Sequence, residues 1–208
     1  MTLTKKAEAT REHILDTGRA LVLRKGFSGL GLQEILTTCG VPKGSFYHYF
    51  PSKEAYGCAL LQHYVDDYAR RLEALLAPAP HDGRTLLMRY WSAWLGDAER
   101  AAWVDGCLVV KLAAEVSDLS EDMRQVLDAG VQRLLARLAR LIDAGRADGS
   151  IPPGAPALAV ARLLYQMWLG AALLAKLGRD PAPLRQALSA TEHLLACGTD
   201  AAVPASLQ

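Results

Sequence analysis

A chain of 208 residues, 51% of them apolar, is long enough to bury a sizeable core without disulfide staples, and its near balance of 23 basic and 22 acidic residues excludes a uniformly charged surface. Its four cysteines, Cys39, Cys58, Cys107 and Cys197, form no CxxC pair and follow no regular spacing, which argues against a disulfide framework and a structural zinc site and fits a reducing cytoplasm. Residues 1–10 lack the apolar run of a secretory signal. The most apolar stretch, 158–177, is interrupted by Arg162, Gln166 and Lys176, so it predicts a buried helix rather than a membrane span.

Apolar positions recur at three and four spacing throughout, without sustained alternation, and predict an all-α protein. The first helix is expected over 8–25, with Ile14, Leu15, Gly18, Leu21 and Val22 on one side and Gly26 as its stop. A short helix over 32–39 buries Leu32, Ile35 and Leu36 and stops at Gly40. Another begins near Gly44 and carries Phe46, Tyr47, Tyr49 and Phe50. Ser52 caps a long helix over 53–76, which ends before Pro78 in a proline-rich joint, 77–80. Beyond it, helices are expected over 84–98 and 106–116, then a long one opened by Ser120, with acids in its first turn and a stripe Met123, Leu127, Leu134, Leu138, Leu141. Gly149 ends that helix. Prolines 152 to 156 lead into a strongly apolar helix over 157–177, and Pro181 opens a last one that stops near Gly198. This pattern divides the chain into a head, 1–52, a helical body, 53–198, and a small, polar, frayed tail, 199–208.

Charge is distributed unevenly along these parts. Residues 1–53 hold eight Lys or Arg against four acids, whereas the remaining 155 hold 15 against 18. A basic head on a mildly acidic body suits a protein that docks one end on phosphates. Two short helices separated by Gly40, Val41, Pro42 and Lys43 have the layout of a helix-turn-helix, whose second helix enters the major groove of DNA. In that second helix Phe46 and Phe50 face the core. Ser45, Tyr47 and His48 offer base or phosphate partners, with Lys43 at the leading edge. Lys53, in the first turn of the next helix, adds a phosphate contact.

The string Gly40-Val-Pro-Lys-Gly-Ser-Phe-Tyr-His-Tyr-Phe50, followed by Ser52-Lys-Glu-Ala55 and preceded by Gly26-Phe27, resembles the signature of the TetR family of regulators. The resemblance implies a helix-turn-helix head of three helices on a helical-bundle domain that dimerises and binds an effector. It places Lys43, Gly44, Ser45, Tyr47, His48 and Lys53 at DNA-contacting positions, with Gln33 reaching a base from the preceding helix. In one departure, Gly31 stands where the family commonly opens its second helix with Thr or Ser, so a phosphate-contacting hydroxyl is missing there. A second string, Gly106-Cys-Leu-Val-Val-Lys-Leu-Ala-Ala-Glu-Val116 and then Asp118-Leu-Ser-Glu-Asp-Met-Arg124, is similar to the NemR-like branch, whose members repress detoxification genes until an electrophile or oxidant modifies a cysteine. Trp168-Leu-Gly-Ala171 and Lys176 extend that similarity.

Together the two resemblances imply a dimeric repressor, released from a near-palindromic double-stranded operator by a small-molecule inducer, with no cofactor. The helices expected over 121–147 and 157–177 are the candidate dimer interface, where Gly170, Ala171 and Ala175 permit close approach. Cys107 is the candidate sensor, expected in the first turn of a helix capped by Asp105, where backbone amides favour the thiolate. Lys111 is one candidate for a neighbouring cation, and the resemblance favours Lys176. An alternative is a reversible apolar ligand held among Tyr90, Trp91, Trp94, Trp103 and Trp168, although these aromatics equally suit a core. Catalysis is disfavoured: Ser45 lacks the following glycine of a nucleophile elbow, and there is no glycine-rich phosphate loop. A metal-responsive module using Cys58 with His63, or Cys39 with His48, matches no common ligand spacing.

Overall fold

The computed structural model describes residues 5–77, 81–96 and 103–197. Among these the chain is all helical, with no strand: α1 Lys5–Lys25, α2 Leu32–Cys39, α3 Lys43–Tyr49, α4 Lys53–Leu76, α5 Gly83–Leu95, α6 Leu108–Leu119, α7 Glu121–Ala147, α8 Ala157–Gly178 and α9 Ala182–Cys197, with a 3₁₀ turn at Trp103–Gly106. The expected frayed tail 199–208, the stop at Gly198 and prolines 78 and 80 of the joint lie outside the described residues.

The punctuation reflects local chemistry. Gly40 ends α2 in the left-handed region (φ 65°), which lets its N–H reach back to the Leu36 and Thr37 carbonyls and reverses the chain toward α3. Ser52 Oγ accepts from the Ala55 N–H at 2.9 Å, Asp82 Oδ1 from the Thr85 N–H at 2.7 Å and Ser120 Oγ from the Met123 N–H at 3.2 Å. Each capping side chain satisfies a first-turn amide that has no partner within its helix, and so marks where α4, α5 and α7 begin.

The chain clusters into two compact units. The first holds the described residues up to Tyr68 together with Lys111–Gly130. Its core takes Ile14, Leu15, Gly18, Leu21 and Val22 from α1, the five positions the spacing singled out. Phe46, Phe50 and Tyr56 pack as a trio with ring centroids 5.2 to 5.3 Å apart. The Tyr56 hydroxyl donates to the Ile14 carbonyl across the space that Gly18 leaves open. Leu32, expected in this core, is only half-buried. It stands at the first position of α2, where the chain is still emerging from the preceding turn.

The second unit holds Ala69–Val110 and the described residues from Val131 onward. Its centre is aromatic. Trp91 stacks on Trp168 at 4.9 Å with 15° between the ring planes, and Tyr90, Trp94 and Tyr165 close around them. The Trp168 Nε1–H donates to Thr191 Oγ1 at 2.9 Å, and the Thr191 hydroxyl donates to the Ala187 carbonyl, which pins α8 to α9. α8 is long and apolar enough to cross a bilayer, yet it buries Val160, Ala161, Leu164, Trp168 and Ala172 along one face, as a core helix does. In α7 the buried set drifts from the expected stripe: Leu135 is buried and Leu134 only half-buried. A helix of 27 residues turns its 3.6-residue period slowly past a fixed heptad spacing.

Gly83 is where α5 meets α7 without side chains between them. A Cβ there would lie 2.5 Å from both the Gly145 Cα and the Leu141 carbonyl oxygen, and backbone cannot yield as a side chain does. Gly83→Ala is expected to lower the urea midpoint by the equivalent of roughly 1–3 kcal/mol. Gly31→Ser meets nothing among the described residues within 4 Å at an unstrained φ of −79° and is expected to hold or raise stability by a few tenths of a kcal/mol. An unchanged midpoint for Gly83→Ala would contradict this account of the packing.

Candidate nucleic-acid interface and effector site

α3 is short, and its seven residues divide cleanly. Phe46 points into the aromatic trio, while Lys43, Gly44, Tyr47 and His48 are exposed and Ser45 is half-buried. Tyr47 is 42% exposed, a large ring left in solvent on an otherwise well-packed unit. Pro42 precedes the helix with φ −63°, already close to the helical value, and its carbonyl accepts from the Phe46 N–H. Gln33 is exposed on α2, its amide donating weakly to Thr37 Oγ1 at 3.4 Å. α2 opens at Gly31 with no side-chain cap, so the amides of its first turn lack the hydroxyl partner that Thr or Ser would supply.

Lys53 is not a simple surface cation. Its Nζ donates to the Phe27 carbonyl at 3.2 Å and lies 4.9 Å from the centroid of the Phe27 ring. The same residue is held from its other side. Glu115, on α6, accepts the Phe27 N–H at 3.1 Å on Oε2 and the Ser28 N–H on Oε1. Gly26 (φ 78°) makes room, since a Cβ there would come within 2.9 Å of Glu115 Oε2. Burial opposes ionisation of Glu115, but the Ser28 side chain, the Ser28 and Phe27 amides and the charge of Lys111 outweigh it and hold the carboxyl below its ordinary value of 4.5. A carboxyl lowered on folding stabilises the fold fully above that value and loses its contribution as pH falls through the lower folded value. At neutral pH the clasp is therefore fully charged. Periodicity offered no reason to single out Glu115. Its partners are backbone amides 87 and 88 residues away, and a backbone amide leaves no mark in a sequence.

The residues expected to sense an effector, Cys107 and Lys176, fall in the second unit. Cys107 is buried, 4% exposed, and immediately precedes α6 rather than lying in its first turn. Asp105, expected as the cap, sits instead within the 3₁₀ turn Trp103–Gly106. That tighter turn closes when the Cys107 N–H bonds to the Val104 carbonyl, which delays the α-helix by two residues. Trp103 anchors the turn between the Tyr90 ring and the Arg71 guanidinium, 4.6 Å from its centroid. Tyr165 is held well above its ordinary pKa by burial first and then by the neighbouring Cys107 and Tyr90. Lys176 is exposed and lines a cavity of about 260 Å³ with Val104, Asp105, Leu95, Arg179 and Asp180. The cavity thus brings Lys176 to the turn that leads into Cys107.

The other thiols differ. Burial raises the pKa of Cys39, and burial with the charges of Asp122 and Glu54 raises that of Cys58, so both stay protonated near neutrality. Cys197 is exposed, with its Sγ 3.7 Å from His193 Nδ1. Among the described residues no group of three or more His, Cys, Asp or Glu is placed to hold a metal ion. Tyr90, Trp91, Trp94 and Trp168 are core residues at 1% exposure or less, while Trp103 is half-buried.

Comparison with known proteins agrees with this geometry. Residues 14–55 match the profile of bacterial regulatory proteins of the tetR family, and residues 83–191 match the tetracyclin repressor-like C-terminal domain. The chain belongs to the TetR family. It is 43% identical over 187 residues to the HTH-type transcriptional repressor NemR of Escherichia coli K12, covering 90% of this chain and 94% of the relative. It is 31% identical to the repressor DhaR of Mycobacterium sp. GP1, over 91% and 94% of the two chains. The crystal structure of the reduced form of E. coli NemR superposes with a TM-score of 0.82 over 94% of this chain and 99% of that one, at 43% identity. A crystal structure of another TetR/AcrR family member also gives 0.82, at 55% identity over 90% and 99%. The chain is thus a NemR-like, DNA-binding transcriptional repressor, of a family whose members regulate transcription rather than catalyse.

Proposed function

We propose that two copies of this chain pair through α8, grip a two-fold operator with their α3 helices in successive major grooves, and release it when a reactive small molecule modifies Cys107. The observation that carries the DNA-binding part is the outward face of α3. Tyr47 and His48 supply base or phosphate contacts, Lys43 and the Gly44 and Ser45 amides sit at the leading end, and Gln33 adds a base contact from α2. Lys53 reaches a phosphate with the donors left after its bond to the Phe27 carbonyl.

Of the two helices singled out for pairing, α8 is the better match. Leu158, Gly170, Leu173 and Leu177 are exposed along one stripe, which the exposed Arg162 and Gln166 share, and Leu177 is 84% exposed. Leucines left in water at this spacing suit a second copy, because a two-fold interface sets a surface against itself. The outer face of α7 instead carries Glu121, Asp122, Asp128, Arg133, Arg140 and Asp143.

Three observations support Cys107 as the sensor. It adjoins the first turn of α6, where unpaired amides favour an anionic neighbour. The cavity beside it, lined by Val104, Asp105 and Lys176, gives a reagent access to the turn that carries the thiol. A relative of 43% identity has been solved in a form described as reduced, which supports thiol chemistry at such a site. A second reading, a reversible ligand in the aromatic core, is favoured by the Trp91 and Trp94 Nε1–H groups, which are buried with no hydrogen-bond partner among the described residues. The site of action is the cytoplasm, where the operator is.

Operator binding and thiol modification are tested separately. Tyr47→Ala and His48→Ala should each weaken operator binding by on the order of 1–3 kcal/mol in a titration, while the log–log salt slope stays near −0.9 per neutralised phosphate. Operator affinity unchanged in the double variant would remove α3 from the interface. In the second test, an operator complex is treated with N-ethylmaleimide and then dialysed. Wild type should dissociate and stay dissociated, and Cys107→Ser should remain bound. Equal release of Cys107→Ser would exclude this thiol, and rebinding after dialysis would favour the reversible ligand.

A further inference from the structure

The α1–α2 turn is fastened more firmly than a surface turn needs. The Phe27 N–H and Ser28 N–H both end on the Glu115 carboxylate, the Phe27 carbonyl accepts from Lys53, and the Phe27 ring lies under the Lys53 ammonium. Phe27 is itself buried, with its ring tip against Gly57 of α4. The turn leads directly into α2, and α2 into α3 through Gly40–Pro42. The bonds to the Phe27 backbone therefore act on where the two-helix motif sits, beside the packing of Ile35, Leu36 and Cys39 of α2 and Phe46 of α3. Of the three fastenings, the Lys53 hydrogen bond and the Lys53 ammonium over the ring come from α4. The third, Glu115, is contributed by α6, whose first residue follows Cys107.

We propose that Glu115 is the positioning residue that latches the helix-turn-helix to α6, so that operator affinity depends on a carboxylate that never touches DNA and displacement of α6 is passed to α3. The geometry suits this role because the bond is bidentate. One carboxylate spans two successive amides, so a shift of α6 by a fraction of its 5.4 Å pitch breaks both bonds together instead of bending one. The alternative acceptor for those amides is water, which leaves the turn free to choose another pose. Ser117 and Asp118 lie in the next turn of α6 and are exposed, and Ser117 returns its hydroxyl to the Ala113 carbonyl, so neither substitutes for Glu115. The transmission half of this proposal rests on Cys107 as the sensor; the latch half does not.

The test compares wild type, Glu115→Ala and Glu115→Gln as full-length protein, each in a Cys197→Ser background so that the exposed thiol does not react. Glutamine keeps the size of the side chain but turns a donor toward one of the two amides. Operator and nonspecific DNA titrations are run well below the melting temperature, where circular dichroism finds each protein fully helical. Both variants are expected to bind operator about five- to fifty-fold more weakly, to keep wild-type affinity for nonspecific DNA and to keep the wild-type salt slope. A role in stability alone would lower the melting temperature and leave the specific-to-nonspecific ratio where it was, and a folded variant with wild-type operator affinity overturns the latch. Should Glu115→Ala not fold, Glu115→Gln decides the same point.

The second arm adds N-ethylmaleimide. Wild type is expected to lose operator affinity on modification, whereas Glu115→Gln, already unlatched, should lose far less. An equal proportional loss in both overturns transmission through Glu115. If modification leaves the affinity of wild type unchanged, the sensor reading and the transmission that rests on it fail together, and the titrations without reagent still decide the latch.

Discussion

The pose of a recognition helix depends on very few atoms. α3 has seven residues, only Phe46 of which is fully buried, and it packs on α4 through Phe46 and the Phe50 that follows it, both against Tyr56. To that packing, and to the buried Ile35, Leu36 and Cys39 of α2, the turn before α2 adds polar fastenings at one residue, Phe27, whose N–H is accepted by Glu115 and whose carbonyl accepts from Lys53. A buried backbone polar group must find a partner. Meeting that requirement with side chains of α4 and α6, rather than with water, ties the turn to the longer helices.

This arrangement explains why α6 belongs partly with the DNA-binding head. Lys111–Gly130, covering most of α6 and the start of α7, clusters in the same compact unit as α1 to α3. Ser120 strengthens that association: its hydroxyl donates to Glu54 Oε1 at 2.6 Å while capping α7, and Met123 fills the space against Gly57. The second unit is built for stiffness, with stacked indoles at its centre and glycine-mediated backbone contact between α5 and α7. A rigid core resists gradual deformation and favours discrete rearrangement, which is what a two-state response requires.

Much of the fold was legible because it is written locally. Gly40 and Gly149 mark helix ends by tolerating positive φ, Ser52 and Ser120 mark starts by capping, and the five buried positions of α1 come from spacing alone. The head carries its signature in one contiguous string, so its exposed and buried residues separate by helical period. Placement failed where the backbone departed from the α-helix. The 3₁₀ turn at Trp103–Gly106 moved the start of α6 past Cys107 and took Asp105 out of its expected cap, and apolar periodicity does not distinguish a 3₁₀ turn from the first turn of a helix. Glu115 stayed unassigned because its partners are main-chain amides far away in sequence. The choice of α8 over α7 in the proposed dimer rests on exposure, which no sequence spacing reveals.

The central claim, that the Phe27 and Ser28 amides are held by α6 in the DNA-binding state and let go when the sensor is modified, has a direct readout in amide hydrogen exchange. In unmodified protein both amides are expected to exchange slowly and with similar rates, because one carboxylate protects them. After N-ethylmaleimide treatment both should exchange faster by a common factor, while the Phe46 and Phe50 amides keep their protection. Unchanged protection at Phe27 and Ser28, in modified protein that has released its operator, would contradict the account.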